Sequence, residues 1–532
     1  MRGSMSRRRL VTMGAAATAG AALPLGSGAD ADAASGAHPV YDEPGRVFDV
    51  RRFGAKGDGV TIDSDAVNRA IGEAAKAVPP GSRGPGGTVY FPAGTYACYS
   101  IRLRSNLTLY LGPGATLLAA APAHGQGYDP AEPGAGNAYQ DYAHSHWHNS
   151  LIWGEGLTDV TICGPGVIDG AGLVGDSREE DAGQGDKAIA LKLCRGVTIR
   201  DISTLNSGGV AILLTGADNV RLDNLVIDTS GDGINLDCCR NVRISGTTVN
   251  SPNADAIALK SSYALGEARA TENVTIDNCM VSGYDLGTVY DGTFKTAASY
   301  ERTGRIKLGT ESNGGFKNIA VSNVIFEHCR GLALQSVDGG LLEDVTISNL
   351  VMRHVQMPIF LRLGSRMRGP AGAQIGRLRR VNISDVIAYD ADPHYPSTIA
   401  GIPDHPVEDI RISNLRHEVA GGLAPGDVDQ DPPEDEGAYP ETTMFGPLPA
   451  YGFFIRHAKA ITLDNVEVRV EERDTRPAYV LRDVADADFH HNRADKAPGI
   501  PTFVLDQVDE FTLTTSRPVP DTRLDHIVHE EL

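Results

Sequence analysis

One short phrase recurs along this chain and restricts its fold more than any other feature. It is a polar pair, then Val or Ile, any residue, and Ile or Leu, followed by a small or polar residue. It reads Asp159-Val160-Thr161-Ile162, Gly196-Val197-Thr198-Ile199, Asn219-Val220-Arg221-Leu222 and Asn241-Val242-Arg243-Ile244, and further copies begin at Asn273, Asn318, Asp344, Arg380, Asp409 and Ala460. Alternation with period two marks a strand with one buried face. From Val197 to Val220 to Val242 the steps are 23 and 22 residues, and the other steps are longer. A unit of that size holding two or three short strands is one coil of a parallel β-helix, and longer steps are coils with inserted loops. Each coil buries its apolar face only by stacking on its neighbours. The pattern therefore predicts an all-β, single-stranded, right-handed parallel β-helix. A propeller would need a fixed period or Trp-Asp blade signatures, and the chain has neither.

The ends of the chain read differently from the repeat. Ser6-Arg7-Arg8-Arg9-Leu10-Val11 precedes an alanine-rich apolar run from Met13 to Leu25, with small-residue cleavage options at Ala29-Asp30-Ala31 and Ala31-Asp32-Ala33. That is the layout of a twin-arginine export signal, not of a membrane span. The expected map is a signal and linker at 1–38, a solenoid at 39–515 and a C-terminal tail at 516–532. Ser64 and Asp65 can N-cap a helix running to about Ala77, with Ala66, Val67, Ala70, Ile71 and Ala74 on one face, which would close the open end of the solenoid. Pro79–Gly87 reads as a turn-rich loop, and the acidic stretch Asp427–Pro440 as an exposed one.

Composition narrows the function classes. Aromatics are only 6% of the chain, so the core must rest on Val, Ile, Leu and Ala. A formal net charge of −20 argues against nucleic acid and anionic membrane partners, which need clustered cations, and suits a monomer outside the cell. The seven cysteines include no C-x-x-C pair, and most lie beside the repeat, where small apolar core residues are wanted.

Chemistry should sit where coils stack. Aligning buried residues lays Asp232-Gly233-Ile234-Asn235-Leu236-Asp237 over Asp255-Ala256-Ile257-Ala258-Leu259-Lys260, which places Asp232 on Asp255 and Asp237 on Lys260. Coils lie about 4.8 Å apart, so two carboxylates should share one groove. Their repulsion should push one pKa upward, as general acid–base work requires. The next coil, Arg305-Ile306-Lys307-Leu308-Gly309-Thr310-Glu311, adds two cations and another acid. Single Asp or Asn residues at such turns often only satisfy backbone groups. The weight therefore rests on the stacked pair and its flanking cations, although Lys260 could equally be a plain partner of Asp237. Tyr142, His144, His146, Trp147 and His148 could stack a sugar ring or simply pack a loop on the core. With Asp141 as the one nearby acid, the three histidines make a poor metal site, and neither metal nor cofactor is expected.

Three phrases carry a family resemblance. Val47-Phe48-Asp49-Val50-Arg51-Arg52-Phe53-Gly54-Ala55-Lys56-Gly57-Asp58-Gly59 and Gly86-Gly87-Thr88-Val89-Tyr90-Phe91-Pro92-Ala93-Gly94-Thr95-Tyr96 resemble the start of pectin-active β-helix enzymes. Gly164-Pro165-Gly166-Val167-Ile168-Asp169-Gly170 resembles the turn ahead of their catalytic coils. Over roughly residues 47–480 the chain resembles glycoside hydrolase family 28, the polygalacturonases. The resemblance implies inverting hydrolysis of an acidic, pectin-like polysaccharide containing uronic acids, in which one acid protonates the leaving oxygen and other carboxylates activate water. Asp232 and Asp255 match two of the family's aspartates. The usual proton donor falls on Ala254, the family's histidine on Gly304, and its Arg-Ile-Lys clamp on Ala333-Leu334-Gln335. The resemblance leaves the acid to Asp237, Glu311 or a loop residue such as Asp285 or Asp291, and Arg305 and Lys307 could replace the clamp. Insertions around Tyr139–His148 and between Val274 and Ile319 would wall the groove, which favours exo action. A polysaccharide lyase on the same fold, using Lys260, Arg305 or Lys307 as base, and a non-catalytic carbohydrate-binding solenoid are the competing readings.

Overall fold

Parallel stacking of the repeated phrase generates the whole architecture. In the computed structural model, which describes residues 46–77, 86–133, 137–175, 183–296 and 299–532, Val160, Val197, Val220, Val242 and Val274 lie one above the next in parallel register. Ile319, Val345, Val381, Ile410 and Ile461 continue the column. The chain is a right-handed parallel β-helix, one compact unit from Pro44 to Leu532. The expected export segment lies outside the described residues, as does most of the loop Pro79–Gly87. Among the described residues no helix is long and apolar enough to cross a membrane.

The residue ahead of each Val or Ile has a mechanical role. Asp159, Asn219, Asn241, Asn273, Asn318, Asp344, Arg380, Asp409 and Ala460 all turn the chain with φ between 53° and 59°. Asn and Asp tolerate that left-handed conformation better than other side chains do. Four of these Asn side chains also form a ladder: Asn241 donates to Asn219 (3.3 Å), Asn273 to Asn241 (3.1 Å) and Asn318 to Asn273 (3.1 Å). At the equivalent Gly196 φ is 71° and a Cβ would lie 2.6 Å from Asp159 Oδ1.

A second set of strands forms the sheet that carries the groove. Its inward column runs Ile189, Ile212, Ile234, Ile257, Ile306, Leu332 and Ile359. Each such buried side chain contributes roughly 1.5–3 kcal/mol, and the alternate residues face outward, where chemistry can be placed. The N-terminal end is covered by the helix Ser64–Lys76, whose buried face is Ala66, Val67, Ala70, Ile71 and Ala74. The cap residue is Asp63 rather than the expected Ser64 or Asp65. Ser64 Oγ instead accepts from the Tyr99 backbone N–H (2.7 Å), which stitches the helix to the sheet. At the other end Thr522–Glu531 runs antiparallel along Phe503–Thr514 and covers the last exposed edge. The segment expected as a tail thus ends in an ordered strand. All seven cysteines are buried.

One interior position breaks the apolar pattern. His417 stacks between Ala388 and Val468, is 2% exposed, and neither ring nitrogen has a partner. Burial lowers its pKa from an ordinary 6.5 to about 4. The unfolded chain takes up this proton near pH 6.5 and the folded chain only near pH 4, so stability falls as pH drops through that window. Integrated over the window, the loss is about 3 kcal/mol. His417→Leu is expected to flatten the fall in melting temperature between pH 7 and pH 4, read by calorimetry at fixed scan rate. An unchanged pH slope would exclude this account.

Candidate active site

Three outward strips carry the polar groups, on the strands Asp232–Asp237, Ile257–Ser261 and Ile306–Ser312. The register is the one the repeat requires: Ile234 on Ile257 on Ile306, with Asp237 on Lys260. Asp232 and Asp255 end the turns that lead into the first two strands. They are in direct contact, since the Asp255 backbone N–H donates to Asp232 Oδ1 (3.1 Å).

Both carboxylates are surrounded by donors. Asp232 Oδ2 lies 3.2 Å from His144 Nε2 and accepts from Asn235 (3.0 Å). Lys260 Nζ is 3.1 Å from His144 Nδ1. An ammonium can only donate, so Nδ1 accepts and Nε2 carries the hydrogen offered to Asp232. Asp255 Oδ1 accepts from Arg305 Nε (2.7 Å), and Oδ2 lies 3.2 Å from Lys307 Nζ. Burial opposes the ionisation of both acids. For Asp232 the His144 hydrogen bond and the Lys260 charge outweigh it, and for Asp255 the charges of Lys307 and Arg305 do, so both are held below the usual carboxylate range. The expectation that repulsion would raise one of the pair is therefore corrected. The surrounding cations exceed the mutual repulsion, and two ionised carboxylates result.

The other expected residues separate. Glu311 joins the cluster, bound to Lys260 (2.9 Å) and 3.5 Å from Arg366. Asp237 does not. It lies five residues along the strand from Asp232, about 16 Å at strand rise, and accepts from Ser262 N (2.8 Å) and Ser262 Oγ (2.5 Å). Burial pushes its pKa up. Asp285 pairs with Arg302 (2.8 Å), and Asp291 closes its own turn with Thr293.

Trp147 is 1% exposed. Its ring packs with Ala190, Val210, Leu213 and Ala264, its Nε1 donates to Thr215 (3.0 Å), and Lys192 Nζ lies 4.0 Å from the ring centroid. It covers the groove floor instead of offering an open face to a sugar. His148 stacks on Trp153 with centroids 3.9 Å apart, and His146 contacts Ser145 Oγ (3.0 Å). The three histidines therefore diverge: His144 lies on Asp232, and His148 on Trp153 and Glu155.

A loop far along the chain completes the site. The segment between the strands Val407–Gly421 and Phe453–Glu472 is exposed on its outer side, as expected for Asp427–Pro440, but its inner side lies against the groove. Its Glu441 takes both Nη atoms of Arg305 (3.0 and 2.8 Å) and Nη1 of Arg330 (2.8 Å). Tyr439 accepts from Lys307 (2.9 Å). Buried Arg362 and Arg456 seat the segment by donating to the carbonyls of Glu434 and Pro432, and Phe445, Leu448 and Ala450 pack over Ala333, Phe360 and Phe454. Sequence reasoning missed Glu441, Tyr439 and Arg330, because no periodicity links a loop to the coil it covers.

Comparison with known proteins agrees with this geometry. Residues 47–143 match the family described as rhamnogalacturonase A/epimerase, pectate lyase-like, and residues 134–391 match glycosyl hydrolases family 28. That match, over just under half of the chain, supports membership of glycosyl hydrolases family 28. It is a glycosidase, divergent from its relatives. A probable polygalacturonase of Vitis vinifera is 26% identical over 404 residues, covering 69% of this chain and 73% of the relative. An exo-poly-alpha-D-galacturonosidase of Dickeya chrysanthemi is 32% identical over 138 residues, 24% of this chain and 20% of the relative. The crystal structure of a hyperthermoactive exopolygalacturonase from Thermotoga maritima superposes with a TM-score of 0.59 at 19% identity, covering 81% of this chain and 93% of that one.

Two departures from the family 28 pattern have a structural counterpart. At Gly304, where the family's histidine would fall, φ is 41° and a Cβ would lie 2.3 Å from the Ser282 carbonyl oxygen, so no side chain fits. Here an imidazole reaches the acids from another loop, through His144. At the clamp position Gln335 donates to the Pro440 carbonyl (2.8 Å) and so seats the covering loop. Glu441 bridges two arginines at the centre of the network. Glu441→Gln should cost on the order of 2 kcal/mol, below the usual figure for breaking a buried pair because its side chain is partly exposed. The expected readout is a lower melting temperature; an unshifted one would show that the bridge adds nothing.

Proposed function

We propose that this family 28 glycosidase is an extracellular, exo-acting, inverting hydrolase that removes terminal units from a pectin-type chain of α-linked galacturonate. The reading is carried by one observation: two contiguous, ionised carboxylates, Asp232 and Asp255, lie on a groove covered on both sides. Trp147 packs over the strands Lys187–Lys192 and Val210–Thr215, and Phe445 and its neighbours pack over the strands that follow the site. Three strands remain between these covers. A polymer has no path along such a groove, whereas a chain end can enter it. The names of the relatives, polygalacturonase and exo-poly-alpha-D-galacturonosidase, support the same substrate and mode.

In this mechanism Asp232 and Asp255 hold a water and take its proton as it attacks C1 of the terminal sugar. Arg305 and Lys307 fix Asp255, while His144 and Lys260 fix Asp232, so the base geometry is set before substrate arrives. With the galacturonate trisaccharide, the expected products are one galacturonate and a disaccharide whose summed mass equals substrate plus one water, the released sugar appearing first as the β-anomer by NMR. Asp232→Asn and Asp255→Asn should each lower kcat by at least about 10³-fold. Products lacking the water, with ultraviolet absorbance from an unsaturated sugar, would mean elimination and overturn the reading. Export is supported by Ser6-Arg7-Arg8 ahead of the alanine-rich run. Replacing Arg7 and Arg8 together by lysine should retain the protein in the cytoplasm, measured by cell fractionation.

A further inference from the structure

Inverting hydrolysis needs a proton donor as well as a base, and the acids of the groove are committed elsewhere. Asp255, Glu311 and Glu441 are held ionised by the cations they touch, and Asp232 by the His144 hydrogen bond and the nearby Lys260 charge, while Asp237 is bound to Ser262 at the far end of its strand. The family's donor position is Ala254, whose methyl carries no ionisable proton. Its turn nevertheless borders a cavity of about 390 Å³, lined among others by Asn253, Thr303, Arg330 and a single acid, Glu301. That volume suits a small ligand such as one or two sugar units.

The segment that carries Glu301 is fixed on both sides. Tyr300 donates to Asp390 (2.9 Å) and stacks on His354 with centroids 4.1 Å apart. Arg302 pairs with Asp285 (2.8 Å). Thr303 N donates to the Pro252 carbonyl (3.1 Å) and Gly304 N to the Ala254 carbonyl (3.0 Å), which pins the segment onto the turn bearing Ala254. Four residues later comes Arg305, whose Nε holds Asp255. That span is at most about 14 Å between Cα atoms, before either long side chain is extended. Among the described residues the Glu301 carboxyl has no hydrogen-bond or ion-pair partner, so it is available to a ligand in the cavity.

We propose that Glu301 is the general acid of this enzyme, donating the proton that Ala254 cannot. This rests on the hydrolase reading above. The Glu301 carboxyl gives a proton to the glycosidic oxygen as the C1–O bond breaks. Water, deprotonated by the Asp232–Asp255 pair, forms the new bond to C1, and one water is consumed per bond cleaved. Glu301 then regains a proton from solvent as the base loses one.

Dependence on the leaving group tests the assignment. On the galacturonate trisaccharide, whose leaving sugar needs protonation, Glu301→Gln should lower kcat/KM by about 10²–10⁴-fold. On 4-nitrophenyl α-D-galacturonide, whose phenolate leaves without help, the same variant should retain activity to within about fivefold, which also reports an intact fold. Equal losses on both substrates, or no loss on the trisaccharide, would overturn the proposal. If the trisaccharide is cleaved by Glu301→Gln at the wild-type rate while Asp255→Asn is inactive, Glu301 is excluded and the hydrolase reading stands.

Discussion

A strand spacing of about 4.8 Å governs this molecule. Every residue of a coil faces the residue one coil away, however many residues separate them in the chain. Apolar positions answer that constraint with columns of Ile, Leu and Val. Outward polar positions must answer it with charge balance, because like charges at that spacing repel. Hence Lys260 pairs with Glu311, and Arg305 and Lys307 follow the coil of Asp255. The polar network of the groove is the charged counterpart of the hydrophobic stack.

Stacking alone would leave a long open trough. Two insertions convert it into an enclosed site, and each uses an ordinary packing device. Trp147 lays a large ring over the small outward residues of two coils. The later loop lays Phe445 and Leu448 over Ala333 and Phe360, with buried arginines gripping its backbone. Both covers also bring a functional group to the acids, His144 from the first and Glu441 from the second. Enclosure and chemistry arrive on the same loops.

How much of this was legible follows from the same division. The solenoid, its register and the contact of Asp232 with Asp255 are periodic properties, and a repeating sequence displays periodicity directly. The left-handed turns were legible as the polar residue before each Val or Ile, though only the geometry explains Asn273 and Asn318 as rungs of one ladder. The ionisation of the acid pair was misjudged, because the sequence shows that cations are near but not that Arg305 Nε and Lys307 Nζ each take a different oxygen of Asp255. Trp147 reads as a binding aromatic by residue type and is a buried cover by position. Glu441 was illegible, since 136 residues separate it from Arg305 and no pattern joins them.

That separation has a consequence for how the protein is made. Synthesis proceeds from the N-terminus, and coils can stack as they emerge, so Asp232 and Asp255 are in place while much of the chain is still unmade. The groove stays an open, uncovered trough until Glu441 and the strand behind it, Phe453–Glu472, have left the ribosome. Competence is therefore among the last properties a nascent molecule acquires, and a prematurely terminated chain would carry both aspartates and no finished site.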